Sequence, residues 1–121
     1  MSSIVHFELP AEEAERAKAF WTGLLGWRFQ PWTGPVEYHM TDGLSPVGAI
    51  YPTTSDERGP YVYFAVDDVD ASLAQVRELG GEVELAKQPV PTVGWFARCR
   101  DTEGNRFSLF QRDESVRMPS A

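Results

Sequence analysis

In the stretch "IVHFELP" an imidazole and a carboxylate, His6 and Glu8, stand two positions apart. Val5, Phe7 and Leu9 alternate with them, the period of a half-buried strand, so His6 and Glu8 share one of its faces. An imidazole beside a carboxylate can exchange a proton near neutral pH, hydrogen-bond a ligand, or contribute to a divalent-metal site. A half-polar interior can also hold such a histidine by hydrogen bonds alone. Tyr61 and Tyr63 alternate in the same way along "YVYFAV", and Trp95 and Phe110 lie in later apolar stretches. Together these aromatics would wall a pocket for a flat or apolar ligand, or else close the core. Ser108, in the middle of "RFSLFQ", puts a hydroxyl among them.

These residues are carried by a repeated pattern of elements. A strand over 4–9 is followed by "AEEAERAKAFWTGLLG", where Ala14, Ala17, Phe20, Trp21, Leu24 and Leu25 recur at helical spacing and Gly26 supplies a stop. Strands are predicted at 27–32, 36–41 and 46–51, and the polar stretch 53–59 reads as a linker. The second half repeats the order: a strand over 61–66, a helix with Val69, Leu73, Val76 and Leu79 as its apolar stripe and Gly80-Gly81 as its stop, then strands at 82–86, 93–100 and 106–111. "KQPVPTVG" is proline-rich and reads as irregular. Aligning Tyr61 with His6 also aligns Gly81 with Gly26, the mark of a tandem duplication.

The expected fold is α+β, one domain of two βαβββ modules at about 4–52 and 60–111, forming a curled mixed sheet around a cavity. His6, Glu8, Tyr61 and Tyr63 would face the cavity, with Phe7, Leu9, Val62 and Phe64 under the helices. Arg98 and Arg100 alternate with Cys99 and are expected to turn outward, because unpaired buried charge is costly. His39 is expected at the surface or a sheet edge, and Gly26 and Gly104-Asn105 are expected to take positive φ. The tail from Arg112 is expected to fray.

A chain of 121 residues, 42% hydrophobic, fits one core, and its single cysteine excludes an internal disulfide framework. No charged-then-apolar leader and no apolar run of about 20 residues is present, which points to a soluble cytoplasmic protein. The net charge of -7 and scattered basic residues argue against nucleic acid as a partner. There is no glycine-rich phosphate loop and no CxxC pair.

"VHFELPAEEAERAKAFWTGLLGWRF" and "VYFAVDDVDASLAQVRELGG", with "GWFARCRDTEGNRFSLFQ" further on, resemble the vicinal oxygen chelate superfamily. That superfamily includes glyoxalase I, the bleomycin-resistance proteins and the extradiol dioxygenases, and the pattern is closest to its small glyoxalase-like proteins of unassigned activity. The resemblance implies one metal ligand from each of four strands in the metal-dependent members. His6 matches the first ligand, but Tyr61 stands at the second histidine position, Ser108 at the last-strand glutamate position, and Gly48 or Ala49 at the remaining one. A phenol and a hydroxyl are poor ligands for a divalent ion. No cofactor is therefore expected, and a divalent metal is left open only as a rebuilt site in which His6 joins Glu8, Glu37 or His39.

The resemblance thus implies a protein that binds a small molecule in the sheet cavity without the complete metal site of glyoxalase I. Its ligand-binding residues would be Glu8, Tyr61, Tyr63, Trp95, Ser108 and Phe110. The alternative is a lyase, isomerase or dioxygenase-like enzyme using His6 as a base or in a rebuilt divalent-metal site; whether the protein is an enzyme stays open. A homodimer is expected, as is common in the superfamily and as an exposed sheet edge needs cover.

Overall fold

The first alternating run becomes strand β1 (Ile4–Ala11) and the alanine-rich stretch after it becomes helix α1 (Ala14–Leu25) in the computed structural model, which describes residues 3–117. Gly26 stops α1 with a φ of 71°, and its N–H donates to the Thr22 carbonyl. Strands β2 (Arg28–Pro31), β3 (His39–Asp42) and β4 (Val47–Pro52) follow. β4 runs parallel to β1, while β3 is antiparallel to β4 and β2 to β3, so the order is β2-β3-β4-β1.

The second half has the same plan: β5 (Tyr61–Ala65), α2 (Val69–Glu78), β6 (Glu82–Val90), β7 (Gly94–Arg100) and β8 (Arg106–Arg112). β8 runs parallel to β5, with β7 antiparallel to β8 and β6 to β7, in the order β5-β8-β7-β6. The Asp68 side chain starts α2 by accepting from the Ala71 N–H at 3.1 Å. Before β8, the Asp101 carboxylate accepts from the N–H groups of Glu103 and Asn105 and from the Asn105 side-chain amide. The Asn105 side chain, first among these, holds the Asp101 carboxyl below its ordinary range. Positive φ falls on Gly104, at 86°, and not on Asn105, which serves the turn through its amide instead.

The architecture is α+β. It divides into two compact units, one from Val5 to Tyr61 and the other from Val62 onward together with the residues before Val5. In the first, Ala14 of α1 packs with Ala11 and Ile50, and Leu9, Ala17, Trp21 and Phe29 surround them. Trp21 stacks on Trp27 at 5.2 Å, and Trp27 leans on Phe7 at 5.8 Å. The small alanines bring α1 close to the sheet, and the two indoles fill the remaining width. Phe20, Leu24 and Leu25, expected in this core, are instead 59%, 62% and 52% exposed.

In the second unit Val69 and Leu73 of α2 pack on Ala97, Cys99 and Leu109, with Phe64, Val76, Trp95 and Phe107 around them. Burial pushes the Cys99 thiol up to about 11, so it is a packing residue. Because Cys99 faces α2, Arg98 and Arg100 lie on the opposite face of β7, against the expectation that they turn outward. Arg100 meets the cost of that position with an ion pair to Glu84 at 2.7 Å.

Two further expectations are corrected. The segment read as irregular continues β6 to Val90, pairing Gln88 with Phe96 and Pro89 with Trp95 across register shifts. Proline is tolerated there because β6 is the end strand of its order and need not donate on its outer side. The tail from Arg112 is tied down: Asp113 N–H donates to the Val93 carbonyl, Thr92 N–H donates to the Val116 carbonyl, and Val116 is buried. Residues 118–121 of that tail lie outside the described residues.

Candidate acid–base and ligand-binding site

The parallel register of β1 and β4 sets His6 beside Val47, Glu8 beside Ala49 and Pro10 beside Tyr51. Leu9 and Ile50 belong to the core under α1, so these alternate residues occupy the other face. On β3, His39 is registered with Ile50 and so faces the helix, while Met40 lies opposite Ala49 on the same face as Glu8. Tyr38, one residue before β3, continues the ladder by accepting from the Trp32 N–H at 2.8 Å and turns toward Glu8 and His6.

The Tyr38 hydroxyl is the centre of the arrangement. It donates to Glu8 Oε2 at 2.5 Å and lies 2.5 Å from His6 Nε2. Glu8 is 6% exposed, so this contact satisfies a carboxylate that water scarcely reaches. Burial holds the His6 imidazole below its ordinary value of 6.5, against the opposing pull of Glu8 and of a backbone hydrogen bond with Val47. His6 is therefore neutral at neutral pH. The single Tyr38 hydroxyl proton then has two neighbours able to accept it, Glu8 Oε2 and His6 Nε2.

The Tyr38 ring also belongs to an aromatic row. Trp32 meets it edge-on at 5.7 Å, Tyr51 stacks at 6.2 Å, and His6 lies parallel at 6.0 Å. The Tyr51 hydroxyl donates to Glu57 at 3.0 Å. Trp32 is folded over Gly34 so closely that a Cβ there would lie 2.1 Å from the indole. The outcome is a polar end, made of Glu8, Tyr38 and His6, beside flat apolar rings.

In the second half Tyr63 is registered with Ser108, and Ser108 with Arg98, on the face away from α2. Phe96 and Phe110 are paired one step along, and Phe96 lies 6.4 Å from the Tyr63 ring. Tyr61 and Tyr63 are both buried, as is Ser108, whose hydroxyl has no hydrogen-bond partner among the described residues. Trp95 does not join them. It stands on the α2 side, where its indole N–H donates to Asp113 and Lys87 sits 4.5 Å from the ring centre. His39, expected at the surface, is enclosed by α1, with Lys18 donating to Nδ1 at 3.3 Å and the Glu37 carboxylate 2.8 Å from Nε2. It is thus on the wrong side of β3 to rebuild a metal site with His6.

Among the described residues no group of three or more His, Cys, Asp or Glu side chains is placed to hold a metal ion. The Tyr38 hydroxyl joins His6 to Glu8, and Ala49 stands opposite Glu8. These residues do not compose the ligand set that the metal-dependent fold relatives imply.

Residues 3–109 match the model of the Glyoxalase/Bleomycin resistance protein/Dioxygenase superfamily. The chain belongs to that superfamily. Among relatives of the superfamily, a glyoxylase-like domain-containing protein of Didymella fabae is 30% identical over 115 residues, covering 87% of this chain and 90% of its own. The anthracycline biosynthesis protein DnrV of Streptomyces peucetius is 28% identical over 125 residues, 88% of this chain but 46% of DnrV, so the chain spans under half of that relative. Among solved structures, a hypothetical protein from Bacillus halodurans C-125 superposes with a TM-score of 0.73 at 12% identity, covering 97% of this chain and 99% of the other. Methylmalonyl-CoA epimerase from Mycobacterium tuberculosis gives 0.66 at 14% identity, covering 91% and 87%. At those identities the superfamily fold is what is shared.

His6 and Glu8 were legible as a pair on one strand face. Tyr38 was not, because it lies thirty positions from Glu8, and the strand expected over 36–41 begins only at His39, which leaves Tyr38 just before it. The one signal for it was its alternation with His39 in "EYHM".

Proposed function

We propose that this superfamily member binds a flat organic molecule, stacking it on the row Trp32, Tyr38 and Tyr51 and fixing its orientation through Glu8, Tyr38 and His6. The observation that carries the reading is the dual role of Tyr38, whose ring stands in the aromatic row while its hydroxyl joins the carboxylate to the imidazole. The relative DnrV is named for anthracycline biosynthesis, and anthracyclines are flat polycyclic aromatics, which is the shape such a row would take. Binding in a reducing cytoplasm suits the free thiol of Cys99. Thermal shifts against flat aromatic compounds, an anthracycline among them, with aliphatic controls of similar size, test the proposal. Stabilisation confined to the flat compounds and lost in Trp32→Ala supports it; silence across the panel sinks it.

A second reading rests on the lowered His6 pKa. A neutral imidazole at neutral pH, hydrogen-bonded to a tyrosine that also binds a carboxylate, is a general base in waiting for an isomerase or lyase reaction. It predicts that any turnover found is abolished in His6→Ala while the thermal midpoint is nearly kept. Full activity in that variant would eliminate it.

A further inference from the structure

The face of β3 that meets α1 holds a second row of ionisable groups, on the opposite side of the sheet from Tyr38 and Glu8. Glu37 Oε2 lies 2.8 Å from His39 Nε2, and Lys18 Nζ lies 3.3 Å from His39 Nδ1. A carboxylate at Nε2 fixes the proton of the neutral ring there, so Nδ1 turns its lone pair to Lys18. Carboxylate, imidazole, nucleophile is the order in which a histidine draws a proton from an attacking group, with an amine here in the last place. The side chains of His39 and Lys18 are 13% and 21% exposed, so their contact is largely shielded from water while part of Lys18 stays open to solvent.

The chain has two lysines, and the other supplies the comparison. Lys87 matches Lys18 in most respects: its side chain is 30% exposed, and Asp70 pairs with it at 3.0 Å as Glu15 pairs with Lys18 at 2.8 Å. Each carboxylate favours the ammonium form, but Glu15 and Asp70 are 84% and 67% exposed, and water screens such pairs. The third neighbour separates the two lysines. Lys87 lies 4.5 Å from the centre of the Trp95 ring, whose face attracts a cation and accepts no proton. Lys18 faces a base instead.

We propose that Lys18 is a site of covalent acylation, its amine activated by His39 and taking the acyl group of a small acyl phosphate. The ammonium gives one proton to His39 Nδ1, and the freed lone pair bonds to the acyl carbon. The bond from that carbon to the phosphate oxygen breaks, its electron pair leaving on phosphate, and the second proton of the nitrogen passes to water. Lys18 ends as a neutral amide that no longer pairs with Glu15. None of these residues belongs to the proposed ligand site. Peptide mass spectrometry over a time course with acetyl phosphate, on the whole chain, tests the assignment. In the folded protein Lys18 should be acetylated at least about tenfold faster than Lys87, and the preference should vanish when the chain is unfolded in guanidinium chloride. His39→Gln should bring the Lys18 rate down to about that of Lys87 and leave Lys87 as it is. Glu37→Gln, at a side chain 59% exposed where little packing is lost, should slow Lys18 several-fold and decides the matter if the His39 variant does not fold. Lys18 reacting no faster than Lys87, a preference that survives unfolding, or a Lys18 rate that either substitution leaves unchanged overturns the proposal.

Discussion

Tyr38 carries one hydroxyl proton between two acceptors, and its removal exposes what that proton does. Tyr38→Phe keeps the ring in its aromatic row but leaves Glu8, 6% exposed, without the hydroxyl that donates to it. A buried acceptor losing its donor costs about 1–3 kcal/mol, so chemical denaturation of this variant should show a loss of that size, whereas an unchanged midpoint would mean Glu8 is satisfied without Tyr38. His6 gives a second prediction, in pH. Its proton is bound less readily in the folded chain than in the unfolded one, so just below 6.5 the unfolded state holds more protons. Stability is therefore fully present above that value and falls as pH drops through the window beneath it; His6→Gln should flatten this part of the stability profile. At this scale the sequence showed which groups share β1 but misjudged β7. Trp95, expected among the pocket aromatics, lies with Cys99 on the α2 side, and the ion pair that holds Arg100 on the other face joins it to Glu84, sixteen positions away.

Elements place these groups, and small local features place the elements. Asp68 caps α2, so Asp68→Ala should cost about 1 kcal/mol in equilibrium unfolding without touching any proposed ligand contact. Gly34 has a more specific task, since Trp32 occupies the space where a Cβ would be. Gly34→Ala should therefore displace the indole and weaken flat-ligand binding while leaving the far-ultraviolet circular dichroism unchanged. Periodicity and turn residues revealed the two helices and eight strands of the described residues, because a period of two or 3.6 is local information. They did not reveal how much of each helix would be covered. Ala14 and Ala17 settle that for α1 by drawing it so near the sheet that Phe20 and Leu24 are left on the flank, a consequence of packing distance that no window of sequence contains.

Across the whole molecule the repeat in sequence, His6 to Gly26 and Tyr61 to Gly81, reappears as the same strand order twice, β2-β3-β4-β1 and β5-β8-β7-β6. What each half presents on its open face is less alike than that repeat suggests: His6 and Glu8 meet Tyr38 in one, while a phenol and a buried serine are paired in the other. The net charge of -7 acts at this scale as well. A cationic flat probe should associate faster than a neutral one, and added salt should erase the difference. In the function proposed, the Trp32, Tyr38 and Tyr51 row with its Glu8 and His6 end receives a ligand. The most direct measurement is calorimetric titration of the best flat aromatic compound into wild type, Trp32→Ala and Tyr38→Phe. Saturable binding to wild type is expected, weakened at least tenfold by Trp32→Ala and less strongly by Tyr38→Phe, which keeps the ring and loses the hydroxyl. Equal affinity for all three proteins would contradict it.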